Sequence, residues 1–149
     1  MANNVDFFIE QGSTFVLDFQ VFDDQLAPIP LLSESTNDLG SKEYSLDKYT
    51  MRMKMRKSKY RSPVLYSCGT TQTFALQNGV THSFTQNGIY FVGGSTGYAR
   101  MVITDATTAT FKPGLYFYDI EMVESLNPGT VVSRIGEGRI EIEAESTKS

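Results

Sequence analysis

The feature that most constrains the fold is an alternation of apolar and charged residues in "DKYTMRMKMRKSKYR", residues 47–61. Apolar residues hold every second position from 49 to 55, and polar or basic residues fill the gaps: Tyr49, Met51, Met53 and Met55 against Thr50, Arg52, Lys54 and Arg56. Side chains at i, i+2 and i+4 of a strand share one face, whereas on a helix they would scatter around the axis. The pattern therefore predicts a half-buried β-strand whose methionines face the core.

Period-two patterning recurs along the chain. It predicts further strands at residues 5–10, 13–22, 98–103, 115–124 and 130–145. Residues 104–114 are typical of one helical turn, opened by Thr104 or Asp105 as N-cap and followed by a Pro-Gly turn. Gly136 and Gly138 indicate a bulge or bend in the last strand. Many strands and turn signals with one helical turn predict an all-β fold, an immunoglobulin-like antiparallel β-sandwich.

Two segments interrupt this pattern. Residues 23–47 carry prolines and turn-forming residues, which predicts a long connection with at most a short extended piece at residues 29–32. Residues 62–97 are rich in Gly, Ser, Thr and Asn and contain Gln-Asn-Gly at 77–79 and again at 86–88. Because Asn-Gly favours the type I′ hairpin turn, we expect an inserted hairpin that protrudes from the main sheet. The whole of 1–149 is then one sandwich domain, with 146–149 as a frayed or partner-held tail.

Size and composition limit the classes of protein to be considered. A chain of 149 residues with 40% hydrophobic residues is about one domain and can fill a modest core. The sequence has no apolar run of the roughly 18 residues that a membrane span needs, and its N-terminus does not resemble a secretory signal. Its single cysteine, Cys68, excludes an internal disulfide. These features predict synthesis in a cytoplasm and no membrane partner.

Charge is unevenly distributed. Six of the thirteen basic residues lie at 52–61, and residues 119–145 hold seven acids against two bases. The two groups face each other either within one sheet or across a contact between molecules. The basic run itself has three readings: a solvated strand face, a charged interface with another subunit, or a nucleic-acid contact. A net charge of −4 and methionines that face the core argue against the third.

The residues that could carry chemistry have simpler explanations. His82 lacks a nucleophile and an orienting carboxylate in any recognisable motif, and Cys68 lacks an evident histidine or cationic neighbour. The acidic stretches 23–25 and 34–38 do not match a calcium-loop spacing and suit turns. The glycine-rich 93–97 lacks the lysine of a phosphate-binding loop. We therefore predict no catalytic residue, no cofactor and no metal site.

Three stretches carry a resemblance to a known family: "IEQGSTFVLDFQVFDDQ" (9–25), "YTMRMKMRKS" (49–58) and "TTATFKPGLYFYDIEMVESLNPGTVVSRIGEGRIEIEAEST" (107–147). Their order resembles small virion structural proteins of T4-related cyanobacterial phages, and is similar to the N-terminal β-sandwich domain of phage baseplate upper proteins. The resemblance does not extend to about 26–47 and 62–97, where the family has a shorter loop and no clear counterpart. It implies a structural, non-enzymatic role in a virion assembled in the bacterial host cytoplasm.

Within that role the resemblance leaves the location open. The preferred hypothesis is a tail or baseplate adaptor that docks neighbouring virion proteins through strand edges and the 62–97 segment. The alternatives are a decoration protein on the major capsid shell and a host-surface glycan-binding module. The candidate interface combines the basic run with aromatic residues: Arg52, Lys54, Arg56, Lys57, Lys59, Tyr90, Phe91 and Tyr98. Tyr116 and Tyr118 are expected to hold one end of the sandwich by hydrogen bonding to backbone carbonyls.

Overall fold

The computed structural model describes residues 3–36, 38–40, 42–45, 48–58, 62–70, 76–77, 86–91, 97–125 and 129–144. Across these ranges the chain forms strands and one helical turn. The strands are β1 (Asn3–Asn4), β2 (Phe7–Glu10), β3 (Phe15–Gln20), β4 (Ser33–Thr36), β5 (Lys42–Ser45), β6 (Tyr49–Arg56), β7 (Val64–Gly69), β8 (Leu76–Gln77), β9 (Gly88–Phe91), β10 (Tyr98–Ile103), β11 (Gly114–Ser125) and β12 (Thr130–Glu143), and the helical turn is α1 (Asp105–Thr108).

The larger sheet has the order β2–β12–β11–β6–β7, with β1 preceding β2 along the same edge of β12. Strands β12, β11, β6 and β7 are antiparallel neighbours, whereas β1 and β2 run parallel to β12. The alternation in β6 sets its two faces as predicted, because Met51, Met53 and Met55 are buried while the basic residues between them face outward. The central prediction from the sequence is therefore confirmed.

A smaller antiparallel sheet, β3–β10–β9, packs over the larger one. Its inward residues include Ala99, Met101 and Ile103 of β10, which are fully buried. They join the methionines of β6 and the even-numbered residues of β11 and β12 in one hydrophobic core: Tyr116, Tyr118, Ile120, Met122, Ile140 and Ile142. An all-β sandwich is thus confirmed, and its immunoglobulin-like character stays a prediction.

The connection from 23 to 47 is more ordered than expected. Instead of a short extended piece at residues 29–32, it contains the hairpin β4–β5, which forms a separate small sheet with β8. Leu31 and Leu32, just before this hairpin, are buried in the core. The strands were missed because "SEST" and "KEYS" lack alternating apolar residues, so their pairing leaves no period-two signal.

Within 62–97 the structure describes β7, β8 and β9, and most of the predicted hairpin, at 71–75 and 78–85, lies outside the described residues. Strand β7 pairs with β6 in the larger sheet, and β9 pairs with β10 in the smaller one. Ile89 and Phe91 of β9 are fully buried. The expectation that this segment lies outside the main sheets is therefore wrong for β7 and β9, whereas the hairpin itself stays a prediction. The sequence "GIYF" is a short core strand, and its Gly- and Asn-rich flanks resemble turns. An isolated parallel bridge between Thr70 and Ile89 links the two sheets along this side.

The helical turn α1 begins after the N-cap Thr104, in agreement with the sequence. The Asn87 side chain reaches this turn: its Oδ1 accepts a hydrogen bond from Thr104 N at 2.7 Å, and its Nδ2 donates to Thr107 Oγ1 at 2.7 Å. The buried Thr108 Oγ1 donates to Ser13 O at 2.8 Å. Side-chain bonds of this kind satisfy backbone groups that a single turn leaves unpaired, so α1 joins the turn between β2 and β3 to the entry into β9.

Strand β12 carries the bulge that its glycines predicted. The register with β11 shifts between Ile120 and Glu121, so Ile135 is the extra residue of β12. A side chain at Gly138 would overlap the Val5 carbonyl, which explains why the β1–β2 segment can lie so close to β12. In addition, no helix among the described residues has the length and apolar character of a membrane span.

Two tyrosines of β11 hold backbone segments at the edge of the core, as expected. Tyr116 Oη donates a hydrogen bond to Lys112 O at 2.6 Å, and Tyr118 Oη donates to Val5 O at 2.6 Å. The Tyr118 ring also contacts Phe7, with ring centroids 4.8 Å apart. Burial, reinforced by the carboxylates of Asp6 and Glu137, raises the pKa of Tyr118 to about 12. The phenol is therefore protonated, and can donate this bond, at neutral pH.

Candidate docking surfaces

The basic residues of β6 lie on the outer face of the larger sheet and pair with acids of β11. Arg52 Nε is 3.3 Å from Glu121 Oε1, and Arg56 Nη1 is 3.3 Å from Asp119 Oδ2. The basic run and part of the acidic C-terminal region therefore face each other within one sheet. Such cross-strand pairs stabilise a sheet by roughly 0.2–1 kcal/mol each, so Arg52 and Arg56 already have a role inside the fold.

Lys54 and Lys57 differ from the two arginines. Lys54 is directly opposite Asp119 in the strand register, yet among the described residues it forms no ion pair. Asp119 Oδ1 is likewise buried without a hydrogen-bond partner there. The Lys57 ammonium lies over the Tyr116 ring, 4.5 Å from its centroid, which is a cation–π contact. Lys59, a further predicted interface residue, lies outside the described residues.

The aromatic residues of the predicted interface separate into two groups. Tyr90 and Phe91 belong to β9 and are buried, Phe91 with 0% of its surface exposed. Tyr98, at the start of β10, is 46% exposed. The three side chains therefore do not form one exposed aromatic patch, and the buried Tyr90 and Phe91 are not part of an exposed surface. Sequence reasoning placed them outward because it treated 62–97 as an insertion.

The residues considered for chemistry fall in different places. Cys68 is in β7, where burial raises the pKa of its thiol to about 11, so the unreactive thiol form prevails at neutral pH. His82 lies outside the described residues. Within the described ranges no three His, Cys, Asp or Glu side chains cluster as a metal site would require. Asp23 instead organises a turn, because its Oδ1 accepts bonds from Gln25 N and Ala27 N.

A groove between the two sheets was not predicted from the sequence. It has a volume of about 730 Å³, within the roughly 300–1,000 Å³ range of ligand-binding clefts. Its lining is mainly apolar. The larger sheet contributes Tyr118, Ile120, Met122 and Ile135 to this lining. The smaller sheet and the segment after it contribute Leu17, Phe19, Val21, Phe22, Leu26 and Ile29, and Val5 completes the apolar lining. No local pattern signals this groove, because it arises where two sheets of unequal width meet.

The loop 22–28 borders the groove and is held in a defined conformation. Phe22 and Pro28 form an isolated bridge, and Asp23 N donates to Ala27 O at 2.8 Å. Leu26 has φ +63° and is 82% exposed. A left-handed backbone costs a branched residue about 1 kcal/mol or more. The loop thus holds a large apolar side chain in solvent at the edge of an apolar groove.

Strand β3 is the edge of the smaller sheet beside this groove. Val21 N donates to Gly97 O at 2.9 Å, on the β10 side. Because backbone groups alternate in direction along a strand, those of Phe19, Leu17 and Phe15 also point to β10, whereas those of Val16 and Asp18 point away from it. No other described strand pairs with this side of β3. The edge therefore presents backbone donors and acceptors to an incoming strand.

The charged residues around the groove are predominantly acidic. Asp18 accepts two hydrogen bonds from Arg100, at 2.6 and 3.0 Å, and this pairing holds the pKa of Asp18 below its usual value. Arg134 is 3.9 Å from Glu137. Asp23 and Asp24 are exposed, and no ion pair involves either of them within the described part of the chain. The loop end of the groove thus carries uncompensated negative charge.

Comparisons with known proteins add little to this geometry. No protein-family model matches the chain, and no curated protein matches it. Among solved structures, the chain is similar to a family 123 glycoside hydrolase from Clostridium perfringens, described for glycolipid glycan hydrolysis, at 13% identity and a TM-score of 0.37. The match covers 94% of this chain and 22% of that enzyme chain. A likeness at this level carries no argument about function.

Proposed function

We propose that this protein is a non-enzymatic structural subunit of a phage virion, an adaptor in the tail or baseplate that joins neighbouring subunits. The observation that carries the proposal is the open edge of β3 beside an apolar groove. Edges of this kind recruit extended segments of other proteins, since backbone hydrogen bonds supply affinity and side-chain pockets supply specificity. The resemblance of 9–25, 49–58 and 107–147 to phage virion proteins supports the same role.

The distribution of charge is consistent with a passive scaffold. The outer face of the larger sheet pairs its arginines internally, so it needs no partner to neutralise them. The groove, in contrast, combines exposed apolar side chains with Asp23 and Asp24 at one end, and neither acid forms an ion pair within the described ranges. Interfaces typically place an apolar centre inside a polar rim, and this is the arrangement around Leu26 and Phe22. We therefore assign docking to the β3 side of the sandwich and not to the basic face.

The copy number in purified virions tests the proposal. Quantitative gel densitometry against the major capsid band is expected to give tens of copies per particle or fewer. Hundreds of copies would favour the alternative, a decoration protein on the capsid shell, over the tail location. Absence of the chain from purified particles would overturn a virion role altogether. Depletion of the gene product should leave particles without complete tails if the adaptor role is correct, and full-length infectious tails would contradict it.

A further inference from the structure

We propose that the groove receives an extended segment of another virion protein, which adds to β3 as a fourth strand of the smaller sheet. The segment would carry apolar side chains at alternate positions and a basic residue near Asp23 and Asp24. This inference rests on the proposed function and specifies its docking site and the chemistry of its partner.

The unequal width of the two sheets leaves room for this strand. The larger sheet has five strand positions in cross-section and the smaller one has three. The Thr70–Ile89 bridge places β9 next to β7 on one side. On the other side, β3 faces Tyr118, Ile120 and Met122 of β11 across the groove. A further strand beside β3 would therefore cover the inner face at β12, where Ser133 and Ile135 line the groove.

The backbone of β3 is suited to pair with that strand. The outward-pointing groups belong to Val16 and Asp18, and in the described ranges their only strand partner is β10. An added strand would use its backbone to satisfy these groups. Its inward side chains, at every second position, would enter the groove against Ile120, Met122 and Ile135. Both requirements are met by any extended segment with alternating apolar residues.

Charge identifies the partner as basic at the loop end. Asp23 and Asp24 contribute two exposed carboxylates there, and the other two charges near the groove, Asp18 and Arg134, are each paired within the chain. A Lys or Arg on the incoming segment would meet this negative field and increase its association rate. Because this chain itself has a net charge of −4, a separate basic partner is favoured over a second copy.

A pair of synthetic peptides tests the inference with the full-length protein. The probe is acetyl-Lys-Val-Thr-Val-Thr-Val-Lys-amide, and its matched control replaces both lysines with glutamates. We expect the basic peptide to bind saturably at least tenfold more tightly than the acidic one. Amide exchange at Val16 and Asp18 should slow at least tenfold in its presence. Binding that weakens with added salt would support the charge assignment.

The variant Val16→Pro blocks the edge without removing a bond to β10, because the Val16 N–H points away from that strand. Proline is tolerated at such outward positions of edge strands. We expect at least tenfold weaker peptide binding with the melting temperature almost unchanged, and normal binding by the control Val16→Thr. The double variant Asp23→Asn, Asp24→Asn should bring the basic and acidic peptides to similar affinities.

Three outcomes would overturn the inference. The first is that neither peptide binds, and the second is that a peptide binds without protecting the Val16 and Asp18 amides from exchange. The third is that the chain self-associates and protects those amides, which would make a second copy the occupant. Each leaves the proposed function intact if the chain is still found in virion tails. Absence from virions would instead remove the proposed function while the peptide result stands on its own.

Discussion

Leu26 has a left-handed backbone conformation that leucine rarely adopts. Its left-handed φ of +63° is enforced by the hydrogen bonds from Leu26 N to Asp23 O and from Asp23 N to Ala27 O. Its side chain contributes little burial in return, since 82% of it is exposed. Strain that is not compensated locally often marks a functional position, and here that position is at the edge of the docking groove.

Replacing Leu26 separates backbone strain from side-chain contact. Leu26→Asn is expected to be about 0.5–1 kcal/mol more stable than Leu26→Ala, because asparagine tolerates the left-handed region better than other non-glycine residues. Both variants lose the same exposed apolar group, so Leu26→Ala is the matched control. Urea denaturation at neutral pH measures the difference. Equal stabilities would show that the loop carries no strain at this position.

Tyr118 gives the stability of the protein an alkaline limit. Its pKa is about 10 in the unfolded chain and about 12 in the folded one. Below pH 10 the phenol is protonated in both states, so this residue does not change the stability with pH. Between pH 10 and 12 the unfolded state loses the proton first, so the free energy of unfolding decreases as pH rises. Cys68 acts in the same direction from about pH 9 to 11.

Tyr118→Phe is therefore expected to have two effects. At pH 7 it should cost about 1–2 kcal/mol, because the Val5 carbonyl loses its donor. From pH 10 to 12 the stability of the variant should fall less steeply than that of the unmodified protein. Chemical denaturation at a series of pH values measures both effects. Tyr98→Phe, at an exposed position, serves as the control, and an unchanged slope in Tyr118→Phe would refute the assignment.

At the scale of elements, β6 and β11 are joined by apolar contacts on one face and ion pairs on the other. The two pairs differ in solvent exposure. Arg56 and Asp119 have side-chain exposures of 24% and 16%, compared with 47% and 20% for Arg52 and Glu121. Solvent screening weakens exposed pairs, so we expect the Arg56–Asp119 pair to couple the two strands more strongly.

Double-mutant cycles measure this difference. The cycle Arg56→Met with Asp119→Asn is expected to give a coupling energy of about 1 kcal/mol, and Arg52→Met with Glu121→Gln about 0.3 kcal/mol. Lys54→Met, which breaks no ion pair within the described chain, should change stability by less than about 0.5 kcal/mol. Each value comes from thermal or urea unfolding. A larger coupling at Arg52 would contradict the ranking by exposure.

Elements with regular alternation were predictable, and those without it were not. The strands β6 and β11 bury alternate residues, so periodicity alone locates them and assigns their faces. Strand β10 alternates only up to Met101, since Val102 and Ile103 are both buried. By contrast, all four residues of β9 are buried, and β4 has no core-facing stripe. A short strand that is apolar on both faces and flanked by glycines has the same local signal as a turn. Its burial depends on the packing of the two sheets, which brings residues distant in sequence into one core.

At the scale of the whole molecule, residues 62–97 connect the sheets. Strand β7 closes the free side of β6, and β9 closes the free side of β10. The sequence indicated a removable insertion, whereas two described strands of this segment, β7 and β9, belong one to each layer. The docking groove was equally invisible in the sequence, since its walls come from β3 and β11, about a hundred residues apart, and its size depends on how the layers overlap.

Deleting 62–97 is consequently expected to abolish cooperative folding and not merely docking. A graded version of the same test uses point variants. Phe91→Ala should lower the free energy of unfolding by about 3–5 kcal/mol, because it leaves a cavity in a fully buried site. The exposed Tyr98→Ala should cost less than about 1 kcal/mol. Circular dichroism melting curves compare the three proteins. A deletion variant that still unfolds cooperatively would refute the role given to this segment.

The bridge between Thr70 and Ile89 joins the two sheets at one flank of the sandwich, so the two flanks differ in how firmly the sheets are held together. On one flank this backbone contact joins the sheets, and the bond from Thr70 N to Met51 O holds Thr70 to β6. On the opposite flank, in the described ranges, no backbone pairing joins β3 to the larger sheet, and the connection there is the turn at residues 11–14 between β2 and β3. Relative movement of the two sheets would then be smallest at the flank with the Thr70–Ile89 bridge and largest beside the groove. The groove could therefore receive segments with side chains of different size while the methionines of β6 keep their positions in the core.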